Sequence, residues 1–260
     1  MSGIERTTGS WVIFALRKLG FFTKAGVAIL TLLFFVLEAV ATYLRFDYFP
    51  KSLIEIVNMT LDLVVTIQVL TIPAAIYVIG RDGYLRQENL SLPPYKLLII
   101  LPLLAKICIT TFIMIDIIKC RPIQGAIHLF ISIATVTILT LPNVVSGITT
   151  ASFNTKCQLL QTNHSTEPRK KANQLLSQFR SIKNGCGFIL FTVFAGNTLL
   201  GIGVGYLIVM QITGCMIISG TSGFIYATFL TNAIMFLIYF GLIMEDCYDE
   251  FQATADILRS

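Results

Sequence analysis

The chain has 260 residues, 55% of them apolar and only 13% charged, with a formal net charge of +5 and a mean hydropathy of +0.78. A soluble domain carries about 25% charge, and a protein core cannot absorb this much apolar surface. The composition therefore excludes an ordinary water-soluble fold and calls for lipid as a second solvent.

The chain opens with Trp11, Phe14, Ala15, Leu19 and Phe22 at helical spacing, followed closely by Arg17, Lys18 and Lys24. The apolar patch from Trp11 to Leu16 is too short for a secretory leader. Residues 1–25 are expected to form a cytoplasmic amphipathic segment on the membrane surface. Six apolar runs follow, at 26–44, 53–79, 97–118, 126–148, 187–212 and 220–244. Each matches the ~20 residues that a transmembrane helix needs, and a membrane barrel would show ~10-residue alternating segments instead. The expected fold is all-α: a polytopic membrane helix bundle with six transmembrane helices, four in 26–148 and two in 187–244.

Lys and Arg set the orientation, because positive residues near span ends resist translocation. One side of the expected bundle collects Arg6, Arg17, Lys18 and Lys24, then Arg81, Arg86 and Lys96. The same side then takes Lys156, Arg169, Lys170, Lys171, Arg180 and Lys183, and finally Arg259. The other side receives only Arg45, Lys51, Lys119 and Arg121. The amino terminus is accordingly expected in the cytosol, the reverse of a G-protein-coupled receptor. The outer connections 45–52, 119–125 and 213–219 are too short to fold on their own.

The long connection 149–186 reads as a helical cytoplasmic loop, with Leu175, Leu176, Phe179 and Ile182 on one face behind the basic run Arg169, Lys170 and Lys171. That face has two candidate partners, anionic lipid or the acidic helix that begins near residue 245. Among the cysteines, only Cys120 and Cys215 fall on the outer side, where a disulfide is stable; they could pair or remain free.

Asp62 and Lys106 lie inside the apolar runs, where an unpaired charge costs at least ~2.5–3.5 kcal/mol. They sit ~13 Å and ~18 Å from the outer ends of their spans, which permits an ion pair. Such a pair either fixes helix register or meets a ligand or ion. Glu38, Glu55, Asp116 and His128 occupy outer halves of spans, at the level of Tyr206 and Tyr226. Either they line a polar pocket open to the outside, or those nearest the interface are simply hydrated. The expected ligand-binding set is Glu38, Asp62, Lys106, His128, Tyr206 and Tyr226. Catalytic and metal-binding motifs are missing, so neither an enzyme nor a cofactor is expected, and nothing points to nucleic acid.

The stretch NQLLSQFRSIKNGCGFILFTVFAGNTLLGIGVGYLIVMQ, residues 173–211, carries Leu176, Phe179 and Ile182, then Asn184 and Gly187, Leu190 and Phe191, and Tyr206. With the sixth span running into an acidic helix, Glu245 to Leu258, it resembles the arthropod gustatory and odorant receptor family. The resemblance implies a chemosensory receptor subunit of the plasma membrane. In that family, four subunits form a ligand-gated cation channel as a homo- or hetero-tetramer, with a small extracellular ligand in the outer half of the bundle and a cytoplasmic anchor. The family's pore-lining seventh span would follow the acidic helix, and residues 245–260 read as the start of that anchor, interrupted. The alternatives from other classes are a six-span small-solute carrier using Asp62 and Lys106 and a non-conducting accessory subunit.

Overall fold

The computed structural model describes the backbone of residues 2–46, 53–81, 93–162, 168–214 and 220–259. Side chains are described over 10–44, 63–80, 93–161, 170–214 and 231–257, apart from 113, 116, 117, 181, 186, 189, 190, 192, 193, 197, 200, 232 and 233. The described residues form seven helices: α1 Ser2–Lys18, α2 Lys24–Phe46, α3 Leu53–Arg81, α4 Leu97–Cys120, α5 Pro122–Thr162, α6 Pro168–Ile212 and α7 Gly220–Arg259. Among these residues there is no strand. Four stretches, Lys24–Leu44, Leu63–Gly80, Pro122–Gln161 and Phe194–Ile212, are long and apolar enough to cross a membrane, and Leu97–Phe112 is a shorter apolar helix.

The turn from α1 to α2 shows how local chemistry fixes the start of the bundle. Gly20 adopts φ +90°, a conformation that favours glycine. It closes α1 with the paired bonds of a Schellman motif, Gly20 N to Arg17 O at 3.1 Å and Phe21 N to Leu16 O at 3.1 Å. The accompanying apolar contact is supplied by Leu16 and Phe21, both buried. Thr23 then caps α2, its hydroxyl accepting from Gly26 N at 3.0 Å. A Cβ on Gly26 would overlap the Gly20 carbonyl oxygen, so both glycines are needed for the turn to close.

Two expected connections prove much shorter than the hydropathy suggested. Between α4 and α5 only Arg121 is non-helical, because Pro122 is suited to the first turn of a new helix. Nor does α5 stop at residue 148. Its polar continuation contains no helix breaker, and the threonine hydroxyls find acceptors inside the helix, one turn earlier: Thr149 to Val145 at 2.7 Å, Thr150 to Ser146 at 3.1 Å and Thr155 to Ala151 at 2.9 Å.

With 41, 45 and 40 residues, α5, α6 and α7 are each about 60 Å long at 1.5 Å per residue, twice the ~30 Å of a bilayer's hydrocarbon core. Roughly half of each must therefore stand outside the apolar layer. Those halves pack together: Phe179 of α6 stacks on Phe251 of α7 with ring centroids 4.4 Å apart and planes 9° from parallel, and Phe153 of α5 lies 6.0 Å from Phe179. Of the two partners open to the 175–182 face, the structure supplies the α7 extension. Leu175, Ile182, Phe153, Cys157, Ile243 and Cys247 are buried there. The core also takes in Ile13 and Leu16 of α1 and Val69, Ile72, Ile76 and Ile79 of α3. The exposed large side chains along α2, α4 and α6, Leu32, Phe35, Phe112, Phe191 and Ile202 among them, are what a lipid-facing surface requires.

Candidate functional site

A helix in lipid buries a carboxylate only if the bundle offers it a donor. Glu38, on the buried stripe of α2 with Phe34 and Ala41, meets such a donor on α5: the Thr135 hydroxyl donates to Glu38 Oε1 at 2.6 Å. His128 is buried two turns earlier on α5, on the same face as Thr135 and about 10 Å away along the axis. Two of the expected ligand residues, Glu38 and His128, thus sit on the helices whose contact encloses this polar group. Sequence reasoning missed Thr135, because a threonine in an apolar run reads as an ordinary span residue.

The other expected residues distribute differently. Lys106 is half-buried on α4, which packs on α5 and α7, whereas α3 packs on α2, α5 and α6. The Asp62 side chain lies outside the described residues, and with it the expected ion pair. Tyr206 is half-exposed on α6, whose main neighbours are α3 and α7, so it does not join Glu38. The side chains of Tyr226, Glu55 and Asp116 lie outside the described residues, as does Cys215 and therefore its pairing with the exposed Cys120. Buried Gln68 of α3 was not anticipated; a Cβ on Gly196 of α6 would overlap its amide nitrogen, so the Gln68 side chain lies directly against the α6 backbone.

Along α5 toward the base, Pro142 removes one ladder bond. The bond lost is the one its N–H would give the Ile138 carbonyl; just beyond it, Ser146 Oγ donates to the Pro142 carbonyl, and Tyr239 of α7 donates its buried hydroxyl to the Asn143 carbonyl at 3.1 Å. Gly147 lets Tyr239 and Pro93 close over the helix one turn further on. Beyond this seam lies the base, where Gln158 Nε2 donates to Glu250 Oε1 at 2.9 Å and Gln161 Nε2 to Thr254 Oγ1 at 2.9 Å. Tyr95, just before α4, donates to Asp246 Oδ2 at 2.9 Å. This bond raises the Tyr95 phenol above its ordinary pKa, helped by slight desolvation and by the negative charges of Asp246 and Glu245.

The chain of contacts is continuous. α5 carries Thr135 against Glu38, then the Tyr239 contact at Asn143, then the base contacts through Gln161, about 39 Å along one helix. Among the described residues no cluster of His, Cys, Asp and Glu has the composition of a metal site. No protein-family model, curated protein or solved structure matches the chain.

Proposed function

We propose that the chain is a chemosensory receptor subunit of the gustatory type, a six-span plasma-membrane protein with its amino terminus in the cytosol. The observation that carries the reading is that α5 runs as one helix from the Glu38–Thr135 pair to the packed base of α5, α6 and α7. A small extracellular ligand that competes for Glu38 or Thr135 changes the packing of α2 against α5, and α5 delivers that bias to the base. Its effect equals its difference in affinity for the two arrangements. Lys and Arg crowding on the base side supports the orientation. By resemblance the assembly is a tetrameric cation channel.

The test uses the full chain in nanodiscs with a panel of sugars, amino acids and alkaloids, read by thermal protection. One chemical class should protect the wild type, and Glu38→Gln or Thr135→Val should weaken that protection roughly tenfold, the equivalent of one charge-assisted hydrogen bond. In cells, Lys170 should react with an impermeant amine reagent only after permeabilisation. Labelling of Lys170 on intact cells, or accumulation of one of these solutes in proteoliposomes down its gradient, would replace the receptor by another class of membrane protein.

A further inference from the structure

The first helix is apolar on two opposite faces. Ile13 and Leu16 are 2% and 3% exposed and belong to the bundle core. On the opposite face, at positions i, i+3, i+4 and i+7, stand Trp11, Phe14, Ala15 and Lys18. Trp11 is 68% exposed and packs edge-on against Phe14, with ring centroids 5.9 Å apart, while Lys18 Nζ stands 5.6 Å from the Phe14 ring centre. Arg17 and Lys24 are exposed nearby, and between Glu5 and Glu38 the sequence has no acidic residue. The helix is not a loose tail. The Schellman turn fixes its end, and a Cβ on Gly80 of α3 would overlap the Phe22 ring that follows that turn. Two aromatic rings beside three cations, placed at the end of the bundle, match the boundary between acyl chains and headgroups.

We infer that the Trp11–Phe14–Lys18 face of α1, with Arg17 and Lys24, is a binding site for an anionic phospholipid. The rings enter the glycerol layer and the cations hold the headgroup. Charge complementarity decides the occupant: a zwitterionic headgroup offers these cations no net charge, whereas each Lys or Arg near an anionic surface strengthens association roughly fivefold. The site adjoins the Gly80 end of α3, where Ile79 meets Gly185 of α6. Lipid held there bears on the same core as the base.

Trp11 is the sole tryptophan of the chain, so its emission reports on this site alone. The full-length protein is placed in vesicles of phosphatidylcholine with a minority of phosphatidylserine, and bromine quencher is carried by one lipid or the other at equal mole fraction. Brominated phosphatidylserine should quench Trp11 several-fold more effectively than brominated phosphatidylcholine. Lys18→Gln should lower that preference part of the way, Arg17→Gln/Lys18→Gln/Lys24→Gln should abolish it, and Lys18→Arg should retain it. Helicity should be retained, because the substituted side chains are exposed and lie outside the core. Equal quenching by the two lipids overturns the proposal. So does quenching by aqueous iodide but not by lipid, and so does protection from both quenchers, which would show a protein surface covering Trp11.

Discussion

Replacing Gly147 by alanine in the middle of a helix should stabilise it by up to ~1 kcal/mol on propensity alone, and here the structure reverses the sign. The added Cβ would overlap the Tyr239 hydroxyl oxygen and lie 2.5 Å from Pro93 Cβ. Tyr239 is fully buried and tied to the Asn143 carbonyl, so its retreat forfeits a hydrogen bond of about 1 kcal/mol. The Pro93 ring is buried and rigid, and overpacking a close-packed site costs about 1–3 kcal/mol. Gly147→Ala should therefore destabilise the protein by about 2 kcal/mol in equilibrium unfolding from mixed micelles. Tyr239→Phe alone should cost about 1 kcal/mol. The double variant should fall short of additivity by about 1 kcal/mol, because the phenylalanine ring no longer presents an oxygen to the new methyl group. A Gly147→Ala protein as stable as the wild type, or an additive cycle, refutes the close approach of α5 and α7 at this level.

The base offers a second test. Phe179→Ala removes a half-buried ring that stacks on Phe251 and borders Phe153 and Tyr248. A cost of about 3 kcal/mol, at the low end for buried aromatics, should appear as faster amide exchange across 245–258, with about 1 kcal/mol of coupling to Phe251→Ala; unchanged exchange there would sink the packed base. A third concerns alkaline pH. The raised Tyr95 pKa means that the folded state holds the phenolic proton more tightly than the unfolded chain. The Tyr95–Asp246 contribution is then complete below pH 10 and lost as pH rises through the raised value. Asp246→Asn should return the Tyr95 phenolate absorbance toward the ordinary tyrosine range, and an identical titration in the variant would remove Asp246 as the cause.

Much of this architecture was legible in the apolar runs, since lipid demands long unbroken helices and tolerates little else. The expected runs at 26–44, 53–79, 97–118, 126–148, 187–212 and 220–244 each lie within one helix of the structure. The amphipathic face at 175–182 also found its partner. Hydropathy could not reveal that α5, α6 and α7 continue as helices beyond their apolar portions. Nothing at residue 149 breaks a helix, and threonine hydroxyls that bond back along α5 are invisible to an apolar count. The candidate site was half legible. Glu38 and His128 stood out as polar residues in the outer halves of apolar runs, but Thr135 and Tyr239 act through single hydroxyls whose partners lie 97 and 96 residues away. No spacing rule connects such pairs.

The single residue between α4 and α5 has a mechanical implication. One residue reaches at most ~3.6 Å, so around Arg121 the two helices can splay like the legs of a compass but cannot slide past one another. A tilt of α5 therefore opens or closes its angle with α4, at whose other end Tyr95 is tied to Asp246 of α7. Helices α4 and α5 are thereby a pair of levers on one fulcrum, and a piston-like stroke of either lever alone is barred by covalent geometry.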